Sequence, residues 1–156
     1  MKIDLCDVEI RIAKQKRTIK KFEKEFGDEV NKIWRKSFNL GGYHFPFSES
    51  GVVAIVIYNK KIIGAATCFS YKVSFNDKAH PTWSEIKNVC VDKNYSNNGI
   101  CQQLIVELIE CLKTKGVSRV SLLSRNPIAK HIYQKVGFTE RCRISEELTS
   151  YEMILK

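Results

Sequence analysis

The sequence predicts an α/β (α+β) fold, a mixed β-sheet covered by helices. Three observations carry this reading. After a leading hairpin, segments with the two-residue period of strands alternate with segments of helical period. The chain has 156 residues, enough for one compact core and little more. No repeat, low-complexity tract or Pro/Gly/Ser linker divides it, so residues 1–156 are expected to form a single domain.

The elements follow in order. Residues 8–13, Val-Glu-Ile-Arg-Ile-Ala, alternate with period two and read as a first strand. Residues 15–26 set Ile19, Phe22 and Phe26 on one helical face, with Lys14, Arg17, Lys21 and Lys24 elsewhere. Gly27 is expected to stop this helix and Asp28 to cap a second one running to about Phe38. Residues 39–50 form a loop rich in aromatics. Residues 52–58 and 62–71 read as a hairpin around Asn59-Lys60-Lys61. A polar loop to Pro81 precedes a strand from about Trp83 to Val91. From Gly99 onward, Ile100, Leu104, Ile105, Leu108, Ile109 and Leu112 trace a helical stripe that Lys113, Lys115 and Gly116 terminate. Residues 117–123 are a short strand. Asn126-Pro127 caps a helix with Ile128, Ile132, Tyr133 and Val136 as its expected inner face, and Gly137 ends it. Residues 138–144 and 150–155 are the closing strands.

Hydrophobic residues make up 44% and charged residues 28%, which is too apolar for a disordered chain. The longest apolar run, residues 52–58, is far short of the ~20 residues that span a bilayer. Met1-Lys2-Ile3-Asp4 carries charge too early for a secretory signal. Six scattered cysteines form no C-x-x-C pair, and His44, His80 and His131 add no metal-ligand spacing beside them. Reduced thiols, a cytoplasmic protein and no metal are therefore expected. A formal charge of +9 favours anionic partners without choosing among them.

The most informative stretch runs from Val89, Cys90 and Val91 through Asp92-Lys93-Asn94-Tyr95 and Ser96, Asn97, Asn98 and Gly99 into Ile100, Cys101 and Gln102. A strand passes through a tight turn directly into a strong helix. The helix N-terminus offers unpaired N–H groups and partial positive charge to a pyrophosphate. Gly99 lets phosphates approach where a side chain would intrude. A polar strand-to-helix turn with no ligand accounts for these residues equally well.

Taken with Asn126-x-x-Ala129-x-x-x-Tyr133-x-x-x-Gly137-Phe138, this stretch resembles the GCN5-related N-acetyltransferase (GNAT) superfamily. The family's acyl-CoA signature, Gln/Arg-x-x-Gly-x-Gly/Ala, meets Ser96-Asn97-Asn98-Gly99-Ile100-Cys101 in part. Gly99 stands at the first glycine, Ser96 replaces Arg/Gln, and Cys101 replaces Gly/Ala. The strand Ile86-x-Asn88-Val89-x-Val91 and the closing Tyr151-Glu152-Met153-Ile154-Leu155 also resemble one branch of the family, so the likeness spans Val8 to Leu155. It implies a mostly antiparallel mixed sheet flanked by helices, acetyl-CoA as cosubstrate, and acetyl transfer to a primary amine in a ternary complex.

By position, the resemblance assigns the pantetheine arm to the backbone of Val89 and Val91, around Cys90, with Asn126 alongside. It assigns the pyrophosphate to the amides from Asn97 to Gln102. Tyr133 falls at the family's usual general acid, although a phenol at pKa ~10 is a weaker acid than a thiol at ~8.5. Packing on the inner stripe of its helix is the competing account of Tyr133. Glu85 falls where many members place an acid that relieves the acceptor amine of its proton; a cross-strand ion pair with Lys87 is the alternative. His44 and Glu49 are further base candidates in the aromatic loop. Cys101 reads as helix packing, with a thiol pKa that a helix N-terminus would lower.

Two other functions fit the chain. One is a non-catalytic acyl-CoA-binding module, suggested by the departures at Ser96 and Cys101. The other is a basic nucleic-acid-binding domain using the lysines around Lys14–Lys24, for which a solvated helix face is the simpler account. The acceptor's identity and homodimerisation stay open.

Overall fold

The computed structural model describes residues 2–39, 41–42, 44–71, 74–75, 78–79 and 82–155. His80 and Pro81 lie outside them. The elements run β1 (Glu9–Ala13), α1 (Lys16–Phe38), β2 (Val52–Tyr58), β3 (Lys61–Tyr71), β4 (Ser74–Phe75), β5 (Lys78–Ala79) and β6 (Thr82–Val91), then α2 (Ile100–Thr114), β7 (Val117–Ser124), α3 (Pro127–Val136), β8 (Thr139–Arg143) and β9 (Thr149–Ile154). Seven strands form one sheet in the order β1-β2-β3-β6-β7-β9-β8, and β4 pairs with β5 separately. In the large sheet every neighbouring pair is antiparallel except β6 and β7, which run parallel. The sheet is thus mixed and mostly antiparallel, as the resemblance implies.

Each face of the sheet has its own apolar layer. On one, Ile86, Val120, Leu122 and Tyr151 lie under Leu104, Leu108 and Leu112 of α2 and Tyr133 of α3. Those three leucines are fully buried, each contributing roughly 1.5–3 kcal/mol. On the other face, Val53, Ile55, Ala65 and Cys90 lie under Ile19, Val30 and Trp34 of α1. No helix among the described residues is long and apolar enough to cross a membrane.

Three local expectations are corrected. Gly27 does not stop a helix: α1 continues unbroken from Lys16 to Phe38. Gly27 is buried, and its carbonyl accepts a hydrogen bond from Asn31 Nδ2 at 2.9 Å. Glycine inside a helix costs about 1 kcal/mol against alanine. Burying Ile19 before it and Val30 and Trp34 after it outweighs that. Ile128 is not on the inner face of α3; it is 75% exposed, and Ala129 is buried instead. The helix begins at Pro127, so the inward stripe starts at Ala129 and continues through Ile132, Tyr133 and Val136. The β2–β3 turn is also tighter than expected. Asn59 and Lys60 both take positive φ (48° and 63°), the signature of a two-residue type I′ turn, so β3 starts at Lys61.

Candidate active site

The parallel strands β6 and β7 pair from Thr82–Val117 to Ile86–Leu122 and no further. Yet β6 runs on to Val91 and β7 to Ser124, so the two strands part into a gap. Asn88 begins a β-bulge in this free part of β6. The register with β3 jumps from Ala65–Cys90 to Thr67–Lys87, and Asn88 takes φ +56°. Beyond the bulge, the Asp92 N–H donates to the Ile63 carbonyl at 2.7 Å. Backbone groups alternate sides along a strand, so Cys90 also faces β3, while Val89 and Val91 turn their N–H and C=O groups toward the gap. The Cys90 thiol is buried on the α1 side, where desolvation pushes its pKa up to about 12, so it forms no wall of the gap.

The gap leads to the N-terminus of α2. Gly99 caps this helix with φ +77°, and no side chain caps it. The first intrahelical donor is Gln103, whose N–H reaches the Gly99 carbonyl at 3.0 Å. The N–H groups of Ile100, Cys101 and Gln102 therefore precede the helical ladder. The turn before them is fixed from within. Asn98 Nδ2 donates to the Tyr95 and Ser96 carbonyls at 3.2 and 3.0 Å, and Asn98 Oδ1 accepts from the Ile3 N–H at 2.9 Å. Ser96 spends its hydroxyl on the Lys93 carbonyl at 2.8 Å, and Asn97 takes φ +63°. Asn98 thus shapes the loop through its side chain, a role that turn propensity alone hints at. Gln103, one turn into α2, holds a buried Oε1 that lacks a partner among the described residues. Two of these features fit a phosphate-bearing ligand, the open N–H groups and the cap without a side chain, whereas the orphaned Gln103 oxygen calls for a donor rather than an anion.

On the other flank, β7 passes into α3. Here Asn126 Oδ1 caps the helix by accepting the Ile128 N–H at 2.9 Å, and the Asn126 N–H donates to Ser124 Oγ at 3.1 Å. Tyr133 is buried against Phe138 and Tyr151, with ring centroids 6.2 and 5.4 Å away. Burial pushes its phenol up to about 12, Cys101 and Tyr151 act in the same direction, and the Ser124 hydroxyl partly offsets them. The phenol thus interacts with both the first turn of α2 and the end of β7. The Cys101 thiol does not show the lowering expected at a helix N-terminus; desolvation raises it to about 11.

Glu85 pairs in register with Phe69 on β3 and with Ser121 on β7, one residue before the strands part. Its side chain is 14% exposed and meets Lys87 Nζ at 3.3 Å. That pair lies along one strand rather than across two, correcting the expected geometry. The Lys87 ammonium also sits 5.2 Å from the Phe69 ring centroid. Beyond Ser121 in the same line comes Glu152 of β9, held by Arg119 at 2.6 Å and Arg141 at 3.5 Å. The sequence offered no signal for this second carboxylate, because strand order alone brings it beside Ser121. His44 and Glu49 are exposed, as is His131 on α3. Among the described residues, no three His, Cys, Asp or Glu side chains gather as a metal site would.

The profile of the Acetyltransferase (GNAT) family matches residues 16–138. A comparison with curated proteins finds no match. Among solved structures, a GNAT-family acetyltransferase from Streptococcus pneumoniae is 19% identical, with TM-score 0.65 over 96% of this chain and 99% of its own. A GNAT-family acetyltransferase from Staphylococcus aureus is 22% identical, with TM-score 0.64 over 95% and 100%. Arabidopsis thaliana Naa50, in complex with the bisubstrate analogue CoA-Ac-MVNAL, is 15% identical, with TM-score 0.66 over 94% and 98%. At these identities the likeness establishes the shared fold.

Proposed function

Because the chain belongs to the acetyltransferase (GNAT) family, we propose that it transfers the acetyl group of acetyl-CoA to a primary amine within a ternary complex. One observation carries this reading. The gap between β6 and β7 offers unpaired backbone at Val89 and Val91 and opens onto the uncapped N-terminus of α2. A thioester arm needs the first and a pyrophosphate the second.

The residues divide the work. The amides of Ile100, Cys101 and Gln102, with those of Asn97 to Gly99, hold the pyrophosphate, where two or three charge-assisted bonds contribute about 1.5–3 kcal/mol each. Val89 and Val91 hold the pantetheine amides by backbone bonds, and Asn126 lies alongside. Acetyl-CoA supplies the thioester carbonyl. Glu85 takes the proton of the attacking amine directly or through one water, since an ammonium of pKa ~10.4 is almost wholly protonated at pH 7. The new C–N bond replaces the C–S bond, the electron pair leaves on sulfur, and the second proton shed by the nitrogen as it becomes an amide passes through water to the thiolate. Tyr133 donates a hydrogen bond to that sulfur. With its phenol near 12, full proton transfer to a thiolate of ordinary basicity would run uphill by about 5 kcal/mol. Hydrogen-bond stabilisation is therefore its role. All six cysteines are free, which suits a reducing cytoplasm.

A non-catalytic acyl-CoA-binding role is the second reading, favoured by Ser96, whose hydroxyl is engaged within its own turn. Solved proteins of this fold include an aminoglycoside acetyltransferase and a glucosamine-6-phosphate N-acetyltransferase. An acetyl-CoA consumption assay should therefore span an aminoglycoside, an amino sugar phosphate, a peptide N-terminus and a lysine peptide. Turnover of any one supports the enzyme. A CoA-dependent rise in Tm without turnover supports the binding module, and no rise at millimolar CoA overturns both.

A further inference from the structure

We propose that Trp34, Thr67 and Asn88 are positioning residues that set acetyl-CoA affinity from the opposite side of the sheet, by locking the β6 bulge. The inference rests on the reading above. Asn88 holds a positive φ, uncommon for a residue with a side chain. Two elements fasten it there through three hydrogen bonds. From α1, Trp34 Nε1–H donates to the Asn88 carbonyl at 2.7 Å. From β3, Thr67 Oγ1 accepts the Asn88 side-chain amide at 3.1 Å and donates to the Lys87 carbonyl at 3.2 Å. Trp34 is 1% exposed, caged edge-on by Phe45 and Phe47 at 5.4 and 5.7 Å, and Thr67 is wholly buried.

The bulge is what turns Val89 and Val91 toward the gap. It places two residues of β6, Asn88 and Val89, opposite Ala66 alone, so the alternation beyond it is shifted by one. Lys87, whose ammonium lies over the Phe69 ring that meets Phe45 of the α1-side core, consequently shares the α1 face with Cys90, while Val89 and Val91 pack with the other core. Releasing the lock lets β6 relax toward regular pairing. Each residue then moves to the opposite face, and the Val89 and Val91 backbone groups turn toward β3. Trp34 belongs to the α1-side core, yet it governs which backbone atoms line the gap.

The test compares CoA affinity by calorimetry, and kcat and KM for acetyl-CoA, across full-length variants. Trp34→Phe, Thr67→Val and Asn88→Ala should each raise Kd and KM for the coenzyme about 5- to 20-fold while kcat stays within about twofold. Asn88→Gly keeps the positive φ at no steric cost and should bind closer to wild type than Asn88→Ala. Phe47→Leu loosens the same aromatic cage without touching the bulge; it should lower Tm and leave Kd unchanged. If Trp34→Phe fails to fold, Thr67→Val and Asn88→Gly decide the matter, since both leave the indole in place. Variants that lose Tm but keep wild-type Kd overturn the proposal, as does a Phe47→Leu protein that binds CoA equally poorly. A wild type that binds CoA alongside unaffected variants removes this inference alone. A wild type that binds none removes the acetyltransferase reading with it.

Discussion

The β6–α2 and β7–α3 units lie side by side, parallel, each a strand passing through a turn into a helix, yet they finish in opposite ways. The α3 unit satisfies itself. Asn126 caps the helix from its side chain, Pro127 has no N–H to satisfy, and Gly137 closes the far end with φ +116°. The α2 unit leaves its first turn open: Gly99 offers no capping side chain, and Gln103 is the first amide to find a helical partner. Along the strands, Glu85 of β6 stands opposite Ser121 of β7. Two units of the same topology can thus differ in whether the helix N-terminus is satisfied from within or left open, and the cap residue is the clearest mark of which is which.

Changes on the β6–α2 side should damage activity, and changes on the β7–α3 side mainly stability, with Tyr133 of α3 the exception because its phenol is proposed to reach the leaving sulfur. The largest effect is expected for Glu85→Gln, with kcat/KM lowered about 10²–10⁴-fold. The deficit should shrink at alkaline pH, where more of the amine is already neutral. Its counterpart Ser121→Ala removes the acceptor of the Trp83 indole N–H, 2.8 Å away, and should cost about 1 kcal/mol of stability with little loss of rate. A pH–rate series on both variants checks this; an unaltered Glu85→Gln profile would remove Glu85 from the mechanism.

Next comes Gly99→Val. A β-branched residue at φ +77° is strained whatever space surrounds it, so about 1–2 kcal/mol of stability should go. CoA affinity should fall further, about 100-fold, because the loop that presents the amides must shift. Calorimetry with CoA beside urea unfolding compares the two losses, and equal losses would make Gly99 a purely structural turn.

Tyr133→Phe should keep CoA affinity and lower turnover about tenfold. It also carries a pH signature. The folded phenol titrates near 12 and an unfolded one near 10, so the unfolded chain loses its proton first as pH rises. The wild type should therefore lose stability between about pH 10 and 12, by up to ~3 kcal/mol from this group alone. The phenylalanine variant should lose that much less across the same window. Parallel curves would place Tyr133 in an environment more hydrated than its burial implies.

The smallest effects belong to Asn126. Asn126→Ala should cost about 1 kcal/mol through the lost cap, whereas Asn126→Ser keeps a capping oxygen and should stay within a few tenths. If the serine variant nonetheless binds CoA several-fold more weakly, the Asn126 amide reaches the pantetheine, and the β7–α3 side contributes to the ligand after all.

What the sequence determined by itself was local. The stripe of Leu104, Leu108 and Leu112, the Asn126-Pro127 cap and the glycine before Ile100 are each legible within a few residues, because capping and periodicity act over one or two turns. Those signals located the strand–turn–helix at Val89–Gln102. Only the tertiary structure decided the rest. Gly27 stays helical because apolar contacts on both sides of it outweigh a propensity of about 1 kcal/mol. Ile128 faces outward because the phase of a ten-residue helix is set by what it packs against. Glu152 lines up with Ser121 and Glu85 because β9 lies beside β7, which no spacing along the chain encodes. The bulge at Asn88 is fixed by an indole 54 positions away and a hydroxyl 21 positions away. Side-chain parity in a strand is a long-range property wherever a bulge interrupts it, and there the sequence alone cannot say which backbone atoms face the gap.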